Sequence, residues 1–302
     1  MKSNKTYIYL IIFAALLIAA YFLTTDRGEK TSSYNLKEKK LFEVDSAKVD
    51  KIEIKNKDGD LVLSKSTGEW RVVSPYDYRV TSAQVEKIVS SLKNLKLESI
   101  ISSNPAKKET FGFSPDKQAE ISVFEAGVLK GKFILGTESA GSSSHIKKPD
   151  SDDIYIADNI ERVDFIKPNI NDWRDKNILS VPKAAINSIV FISGDENFSV
   201  KRDSAGKYFI GADSVGSNFS SLVNVLERFE TNGFKDTVLA DNTKFDKTII
   251  VDWGNKSIIN FLKLNQEPVK YLVKVDGDKQ IYELDEVYAN NLLKSRKDLL
   301  GK

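Results

Sequence analysis

The chain has 302 residues, with 45 Lys and Arg residues against 43 Asp and Glu residues, one His and no Cys. This near-neutral charge disfavours nucleic-acid binding, because an excess of basic residues dominates the affinity for phosphate. Without Cys, the chain has no disulfides, thiolate nucleophiles or Cys-ligated metals. A single His leaves little for His-rich metal sites or for the most common general base. We therefore expect no enzymatic activity, no cofactor and no metal site.

The first predicted element is an apolar segment without any charge, which extends from Tyr7 to Leu23. A helix over residues 7–25 would be roughly 28 Å long, close to the hydrocarbon thickness of a bilayer. Lys2 and Lys5 precede the segment, and the positive-inside bias then predicts a cytoplasmic N-terminus over residues 1–6. We expect a single transmembrane anchor at 7–25, with the rest of the chain on the outer side of the membrane.

A cleaved signal peptide is the alternative, since residues 18–20 could serve as a weak cleavage site. The apolar run continues beyond that point to Leu23, which favours an uncleaved anchor. Residues 26–40 are polar and charged, and we interpret them as a tether between the membrane and the folded part.

Two later passages share one pattern of short alternating strands. The first has strands at 49–54, 61–63 and 70–73, and the second at 186–191, 198–200 and 208–210. The tight turns between them contain Gly, and the Asp-Gly-Asp tripeptides at 58–60 and 276–278 are typical of hairpins. The two passages therefore predict a repeat with an offset of 137 or 138 residues.

The repeat continues into a helix and further strands. Val85, Ile88, Val89 and Leu92 have the spacing of one buried helical face, which recurs at Leu222, Val225, Leu226 and Phe229. Later strands follow in both halves, and we predict a charged helix at the end of each, over 160–179 and 287–300. The predicted fold is therefore α+β: after the anchor come two tandem repeats, 41–182 and 183–302. Each repeat has an antiparallel β-sheet and an amphipathic helix, and Val181-Pro182 marks the seam.

Several of these features together resemble one bacterial family. They are the strand pair that ends in Gly-x-Trp at 68–70, a strand that ends in Gly136, and Trp-Arg-Asp-Lys-x-Ile-Leu at 173–179. The chain resembles the membrane-anchored domain-of-unknown-function family 4340. The resemblance implies an accessory role beside ABC-2-type transporters, including those of gliding motility, at the bacterial inner membrane. It supplies no catalytic residues.

Three motifs suggest chemistry but lack an essential part. Gly136 to Ser143 has the glycine spacing of a P-loop, yet Ser142 replaces the phosphate-binding Lys and no helix is predicted after it. Ser143 and His145 lie near acids, but in a Gly/Ser-rich loop without a nucleophile elbow. Asp150 to Asp153 lacks the ligand spacing of an EF-hand. We interpret all three as hairpin loops.

Aromatic residues beside charges give the candidate contact sites. Trp and Arg are typical of binding hot spots, although Trp173 could instead pack in the protein while Arg174 to Lys176 stay in solvent. Tyr76 and Tyr78 follow Pro75 in a predicted loop, where we expect them to be exposed. The possible partner contacts are Trp173, Arg174, Asp175, Lys176, Tyr76 and Tyr78.

The sequence therefore predicts a membrane-anchored binding or scaffold protein outside the inner membrane. Its partners would be the membrane itself, through residues 7–25, and a membrane or envelope protein, in an ABC-type transporter or an envelope assembly. One alternative is an envelope module for glycans or small ligands. In that module the stacking residues would be Trp70, Tyr76, Tyr78, Trp173 and Trp253. The other is an envelope hydrolase, which would need acids that converge in one pocket with perturbed pKa values.

Overall fold

The computed structural model describes residues 5–24, 40–66, 68–194, 196–240 and 242–301. The described chain divides into two compact units, 1–173 and 174–302. Both are built from antiparallel sheets with few helices, which confirms the predicted α+β class.

The N-terminal helix α1 covers Lys5–Thr24. For residues 5–8, 10, 11, 19 and 22–24 the backbone is described but the side chains are not. In the described part of the chain, no helix combines the length and the apolar character needed to cross a membrane. Residues 1–4 of the predicted cytoplasmic segment and 26–39 of the predicted tether lie outside the described residues. The anchor over 7–25 stays a prediction.

The described residues of the first unit form nine strands and two helices besides α1. Its strands are β1 Val49–Asn56, β2 Gly59–Ser66, β3 Glu69–Ser74, β4 Tyr78–Arg79, β5 Lys96–Ser102, β6 Ala119–Glu125, β7 Val128–Glu138, β8 Ser144–Lys147 and β9 Ile154–Asp158. Its helices are α2 Ser82–Asn94 and α3 Arg162–Phe165, with 3-10 turns at Pro105–Lys107, Glu109–Phe111 and Ile170–Trp173.

Side-chain alternation places the core on one face of this sheet. In β1, Ile52 and Ile54 are buried while Lys51 and Glu53 are half-buried. The predicted turn follows at the end of β1, where the Asn56 side chain accepts a hydrogen bond from the Asp58 N–H. The whole predicted face of α2 is buried in the same core, which confirms the helical periodicity: Val85, Ile88, Val89 and Leu92.

A segment over residues 103–118 covers part of the opposite face of the sheet. Two glycines allow its backbone to lie directly on β7. A Cβ at Gly136 would be 2.3 Å from the Phe111 carbonyl oxygen, and one at Gly112 would be 2.6 Å from the Thr137 nitrogen. Gly136 is therefore required for close backbone packing, and the sequence pattern did not predict this covering segment.

In the part of the second unit that the structure describes, eleven strands are present, and nine of them form one sheet. Its strands are β10 Asn177–Leu179, β11 Ser188–Ser193, β12 Glu196–Arg202, β13 Tyr208–Ile210, β14 Asp213–Ser214, β15 Phe229–Glu230, β16 Gly233–Lys235, β17 Lys247–Asp252, β18 Lys256–Lys263, β19 Lys270–Val275 and β20 Ile281–Asp285. Its helices are α4 Ser217–Glu227, α5 Glu286–Leu292 and α6 Arg296–Leu300, and a 3-10 turn covers Lys183–Ala185.

The two nine-stranded sheets have the same strand order. The first runs β4-β3-β2-β1-β6-β7-β8-β9-β5, and the second runs β14-β13-β12-β11-β17-β18-β19-β20-β16. The remaining strands, β10 and β15, pair with each other. Each element of the first sheet therefore has a counterpart at the same position of the second.

Two helix predictions are wrong. Residues 160–179 form α3, a 3-10 turn and β10 instead of one charged helix, because Pro168 cannot donate a backbone hydrogen bond within a helix. The predicted helix at 287–300 is two short helices, α5 and α6. The predicted face of α4 is also shifted: Leu222 and Leu226 are buried, but Val225 is half-buried and Phe229 lies in β15.

Candidate docking groove of the first unit

The predicted contact patch at 173–176 is divided between the two units. Trp173 ends the first unit and is buried in its core. Arg174, Asp175 and Lys176 begin the second unit. Asp175 accepts a hydrogen bond from the Asn177 N–H, and the Lys176 side chain is exposed.

Arg174 differs from its prediction, because both interpretations of the sequence had placed it in solvent. The residue is 3% exposed. Its Nη2 donates to Asp236 Oδ1 at 2.6 Å, and its guanidinium carbon lies 5.0 Å from the centre of the Phe234 ring. The Arg174 side chain is therefore buried, while the side chain of its partner Asp236 remains 48% exposed.

The two predicted loop tyrosines lie in different environments. Tyr78 begins β4 and is 3% exposed, so its predicted exposure is wrong. β4 pairs with β3 through Val72 and Tyr78, and this pairing turns the Tyr78 ring into the core. Tyr76 is 55% exposed and remains a surface candidate.

A groove of about 170 Å³ in the first unit brings several of these features together. One wall is the end of the β1–β2 hairpin, and the other is the segment that follows α3. Apolar side chains dominate the walls, since prolines, aromatic rings and branched side chains lie together there. They are Ile54, Leu61, Pro75, Phe165, Pro168, Ile170 and Trp173.

The rim of the groove combines apolar and charged groups. Ile170 in the wall, and Tyr76 next to Pro75, are exposed. Lys167 Nζ lies 5.5 Å from the centre of the Trp173 ring and donates to the Val163 carbonyl at 2.8 Å. This interaction holds the Lys167 side chain against the ring. Such a surface, apolar with a charged rim, is typical of contact sites for other molecules.

The hairpin contributes the acidic part of the rim. Asp60 lies 3.9 Å from Lys55 Nζ. Asp58 also lines the groove, and within the described residues no cation lies within 4 Å of its carboxylate. A basic group of a ligand could therefore meet Asp58 beside the apolar walls.

The second unit has a more polar groove in the corresponding place, between the β11–β12 hairpin and the segment after α5. Phe191, Phe198 and Leu293 contribute apolar surface, but charged and hydroxyl side chains make up much of the remaining wall. They include Glu196, Lys247, Lys294, Ser295 and Asp298.

A second depression in the first unit has a polar wall over a tryptophan. Its volume is about 320 Å³, and it lies between α2 and the strands that carry Lys65 and Trp70. Glu86, Ser90 and Lys93 of α2 line it. The Trp70 ring is buried, at 6% exposure, so it offers little of its face to a ligand.

The side chains of His145 and of the acidic motif at 150–153 make contacts within the folded chain. His145 Nδ1 lies 3.0 Å from Thr137 Oγ1, and burial lowers the pKa of His145. Asp152 pairs with Lys108 at 2.7 Å, and Asp153 accepts from Ser103 Oγ at 2.6 Å. Among the described residues no group of three or more His, Asp or Glu could hold a metal ion.

Carboxyl groups with shifted pKa values do not converge on a pocket. Lysine contacts and hydrogen bonds lower the pKa of Asp45, Asp116, Asp152 and Asp298. A general acid would instead need a carboxyl group with a raised pKa.

The sequence pattern did not predict three residues of the groove, namely Phe165, Pro168 and Ile170. They lie in the stretch that was predicted as a helix. Pro168 was the available signal, since a proline inside a helical pattern marks a break.

Comparison with known proteins gives one match. The family model described as Domain of unknown function (DUF4340) matches residues 70–248. No curated protein and no solved structure matches the chain.

Proposed function

We propose a function for this chain from one premise: it belongs to the family described as Domain of unknown function (DUF4340). The chain acts as a membrane-anchored binding or scaffold protein outside the inner membrane. It is an accessory of an ABC-type transporter or of an envelope assembly.

The groove of the first unit carries this proposal. The buried rings of Phe165 and Trp173 and two exposed prolines form its walls. Ile170 in the wall is 37% exposed, and Tyr76, which follows Pro75 in the chain, is 55% exposed. A partner segment with an apolar side chain would fill the groove, and a neighbouring Lys or Arg would meet Asp58. Burial of apolar surface would supply the affinity, at roughly 25 cal/mol per Å² before the costs of association.

The anchor supports the same proposal. The run from Tyr7 to Leu23 has no charge, and its described side chains, such as Ile12 and Leu16, are exposed in the isolated chain. Insertion into the membrane would confine the outer units near a membrane partner, which raises the effective concentration of the groove.

The shared strand order supports a tandem duplication as the origin of the two units. In this proposal one copy keeps an apolar groove for the partner, while the corresponding groove of the other copy has become polar.

Site-specific photocrosslinking in intact cells tests the proposal. A photoreactive phenylalanine replaces Tyr76 at the rim, and a second variant carries it at Val128. Val128 is 70% exposed and starts β7 at the opposite end of the sheet. We expect a discrete membrane-protein adduct from position 76 but not from 128. Ile170→Asp should reduce that adduct about fivefold or more, since a hot-spot contact contributes at least about 1 kcal/mol.

Equal adducts from positions 76 and 128, or an adduct unaffected by Ile170→Asp, would contradict the proposal. An adduct with a cytoplasmic protein would contradict the orientation of the chain.

A small polar ligand such as a glycan fragment is the second candidate, favoured by the depression over Trp70. Polysaccharide fragments that change the tryptophan fluorescence of the wild type, but not of Lys93→Ala, would support it. The burial of Trp70 and Trp173 leaves little ring surface for stacking, so the apolar groove supports a protein partner better.

A further inference from the structure

A second cavity of the first unit, away from the groove, has a basic wall. Its volume is about 320 Å³, and it lies between the start of β7 and residues 148–151, which follow β8. Asp150 contributes the one carboxylate among the described residues that line it, against three lysines. They are Lys130, Lys132 and Lys148.

The cavity exists because β8 separates from β7 early. Ile134 of β7 and Lys147 of β8 form the last pair of their ladder toward the cavity. Pro149 follows two residues later and has no N–H with which to extend the ladder. A gap therefore lies between residues 148–151 and the start of β7.

The corresponding strands of the second unit, β18 and β19, stay together at this position. Their ladder includes the pair Ile259 and Val275. Beyond that pair, the Asp276 N–H donates to the Ile258 carbonyl at 3.0 Å. This hydrogen bond holds the loop after β19 against β18.

Three residue differences separate the open arrangement from the closed one. Lys147 and Lys274 occupy the same place, since each pairs with the isoleucine that begins the next strand. Counted from these two lysines and their partners in β7 and β18, Lys132 stands at the position of Ile258, Lys148 at that of Val275 and Pro149 at that of Asp276. The first unit has thus exchanged two apolar side chains for lysines at the point where the ladder opens.

The three lysines differ in how far their charge is already balanced. Lys132 Nζ donates to Glu120 at 2.8 Å, and Lys130 Nζ lies 3.9 Å from Glu125. Lys148 is exposed, and among the described residues no carboxylate lies within 4 Å of its amine. An anion in the cavity would therefore meet a positive charge that has no partner of its own.

The rest of the wall combines a hydroxyl group with apolar side chains. Ser151 lines the cavity, and so do Leu41 and Phe42. The Phe42 ring lies against Gly131, where a Cβ would be 2.4 Å from it. Leu41 directly follows the predicted tether over residues 26–40, so the cavity lies where the folded part of the chain begins.

We propose that this cavity binds a phosphate group, which Lys148, Lys130 and Lys132 contact. A phosphate has several oxygens that accept charge-assisted hydrogen bonds from more than one ammonium group at once. Lipid headgroups and soluble phosphate compounds both carry such a group, and the experiment separates these two sources. The site goes beyond the proposed docking function and does not depend on it.

Isothermal titration calorimetry tests the site on the full-length chain in mild detergent. One arm titrates inorganic pyrophosphate, and the other titrates dihexanoyl phosphatidylglycerol. We expect saturable binding of at least one probe at one molecule per chain. Tighter binding of pyrophosphate would identify a soluble phosphate compound as the source, and tighter binding of the lipid would identify a headgroup.

Two lysine variants show whether the cavity is responsible. Lys148→Gln should weaken binding about fivefold or more, which corresponds to about 1 kcal/mol. Lys256→Gln is the matched control, because Lys256 is exposed at the position in β18 that corresponds to Lys130, and it should leave binding unchanged.

Three results would overturn the proposal. The first is the absence of saturable binding of either probe. The second is wild-type affinity in Lys148→Gln, and the third is an equal loss of affinity in Lys148→Gln and Lys256→Gln. Circular dichroism spectra equal to that of the wild type would show that both variants keep the fold.

Discussion

Gly136 gives a sharp test of how the covering segment packs on the first sheet. It lies in β7, under the backbone of residues 111–113. In Gly136→Ala the new methyl group would lie 2.3 Å from the Phe111 carbonyl oxygen and 2.9 Å from Phe113 Cζ. Ordinary contacts are about 3.5 Å, so the covering segment would have to move by about 1 Å.

The size of the effect follows from two opposing terms. Overpacking against backbone costs roughly 1–3 kcal/mol, and here the obstacle is a main-chain oxygen that cannot rotate away. Replacing Gly by Ala also reduces the entropy of the unfolded chain, which offsets about 0.4–1 kcal/mol. Because the obstacle is backbone, we take the upper end of the overpacking cost, about 3 kcal/mol, and after the offset the free energy of unfolding should fall by about 2 kcal/mol.

Urea denaturation followed by tryptophan fluorescence measures this change. Trp253→Phe removes the one tryptophan of the second unit and leaves Trp70 and Trp173 as reporters of the first. With a slope of about 2 kcal/mol per M, Gly136→Ala should lower the midpoint by about 1 M.

Gly131→Ala is the matched control in the same strand. Its new methyl group would meet the Phe42 ring at 2.4 Å, and its three nearest atoms all belong to that side chain. Phe42 is half-buried against the core and would have to shift, but a side chain moves more easily than backbone. We expect a smaller loss than for Gly136→Ala, about 1 kcal/mol. A midpoint for Gly136→Ala equal to that of the control, or above the wild type, would refute the close backbone packing.

Two further predictions concern charged groups. Asp236→Asn should lower the free energy of unfolding of the second unit by about 1–3 kcal/mol, because the buried Arg174 guanidinium loses a carboxylate at 2.6 Å. Trp253 fluorescence during urea denaturation measures this loss. An unchanged urea midpoint would contradict the pairing of Arg174 with Asp236. His145 has a pKa lowered from 6.5 by burial, so the unfolded chain binds its proton more readily and stability falls as the pH drops below about 6.5. When the pH falls from 7.5 to 5.5, the free energy of unfolding of His145→Gln should therefore decrease less than that of the wild type. Equal decreases in the two chains would refute a lowered pKa of His145.

Local pattern predicted most of the strands and the central helix. Alternation in β1 and the spacing of Val85, Ile88, Val89 and Leu92 report burial directly, because each element has one face toward the core. Pattern failed at residues 160–179 and at Tyr78. Short turns decide the conformation of residues 160–179, and pairing with β3 at the sheet edge decides that of Tyr78. Neither produces a periodic pattern in the sequence.

For the candidate site, the sequence supplied residue types but not their environments. It singled out Trp173 and Tyr76, yet the groove also needs Phe165 and Ile170, which lie in two short helical turns instead of the one predicted helix. Arg174 follows Trp173 directly in the chain, but it begins the other unit and pairs there with Asp236.

The sequence by itself determined the α+β class, the buried faces of β1 and α2, and the family, because these depend on local periodicity and composition. Only the tertiary structure decided which polar and charged side chains are buried and which backbone segments lie in direct contact. The burial of Arg174 and Lys147, and the close approach at Gly136, depend on chain segments distant in sequence. Contacts between segments distant in sequence cannot be predicted from hydrophobic periodicity, because the periodicity of a segment depends only on its own neighbouring residues.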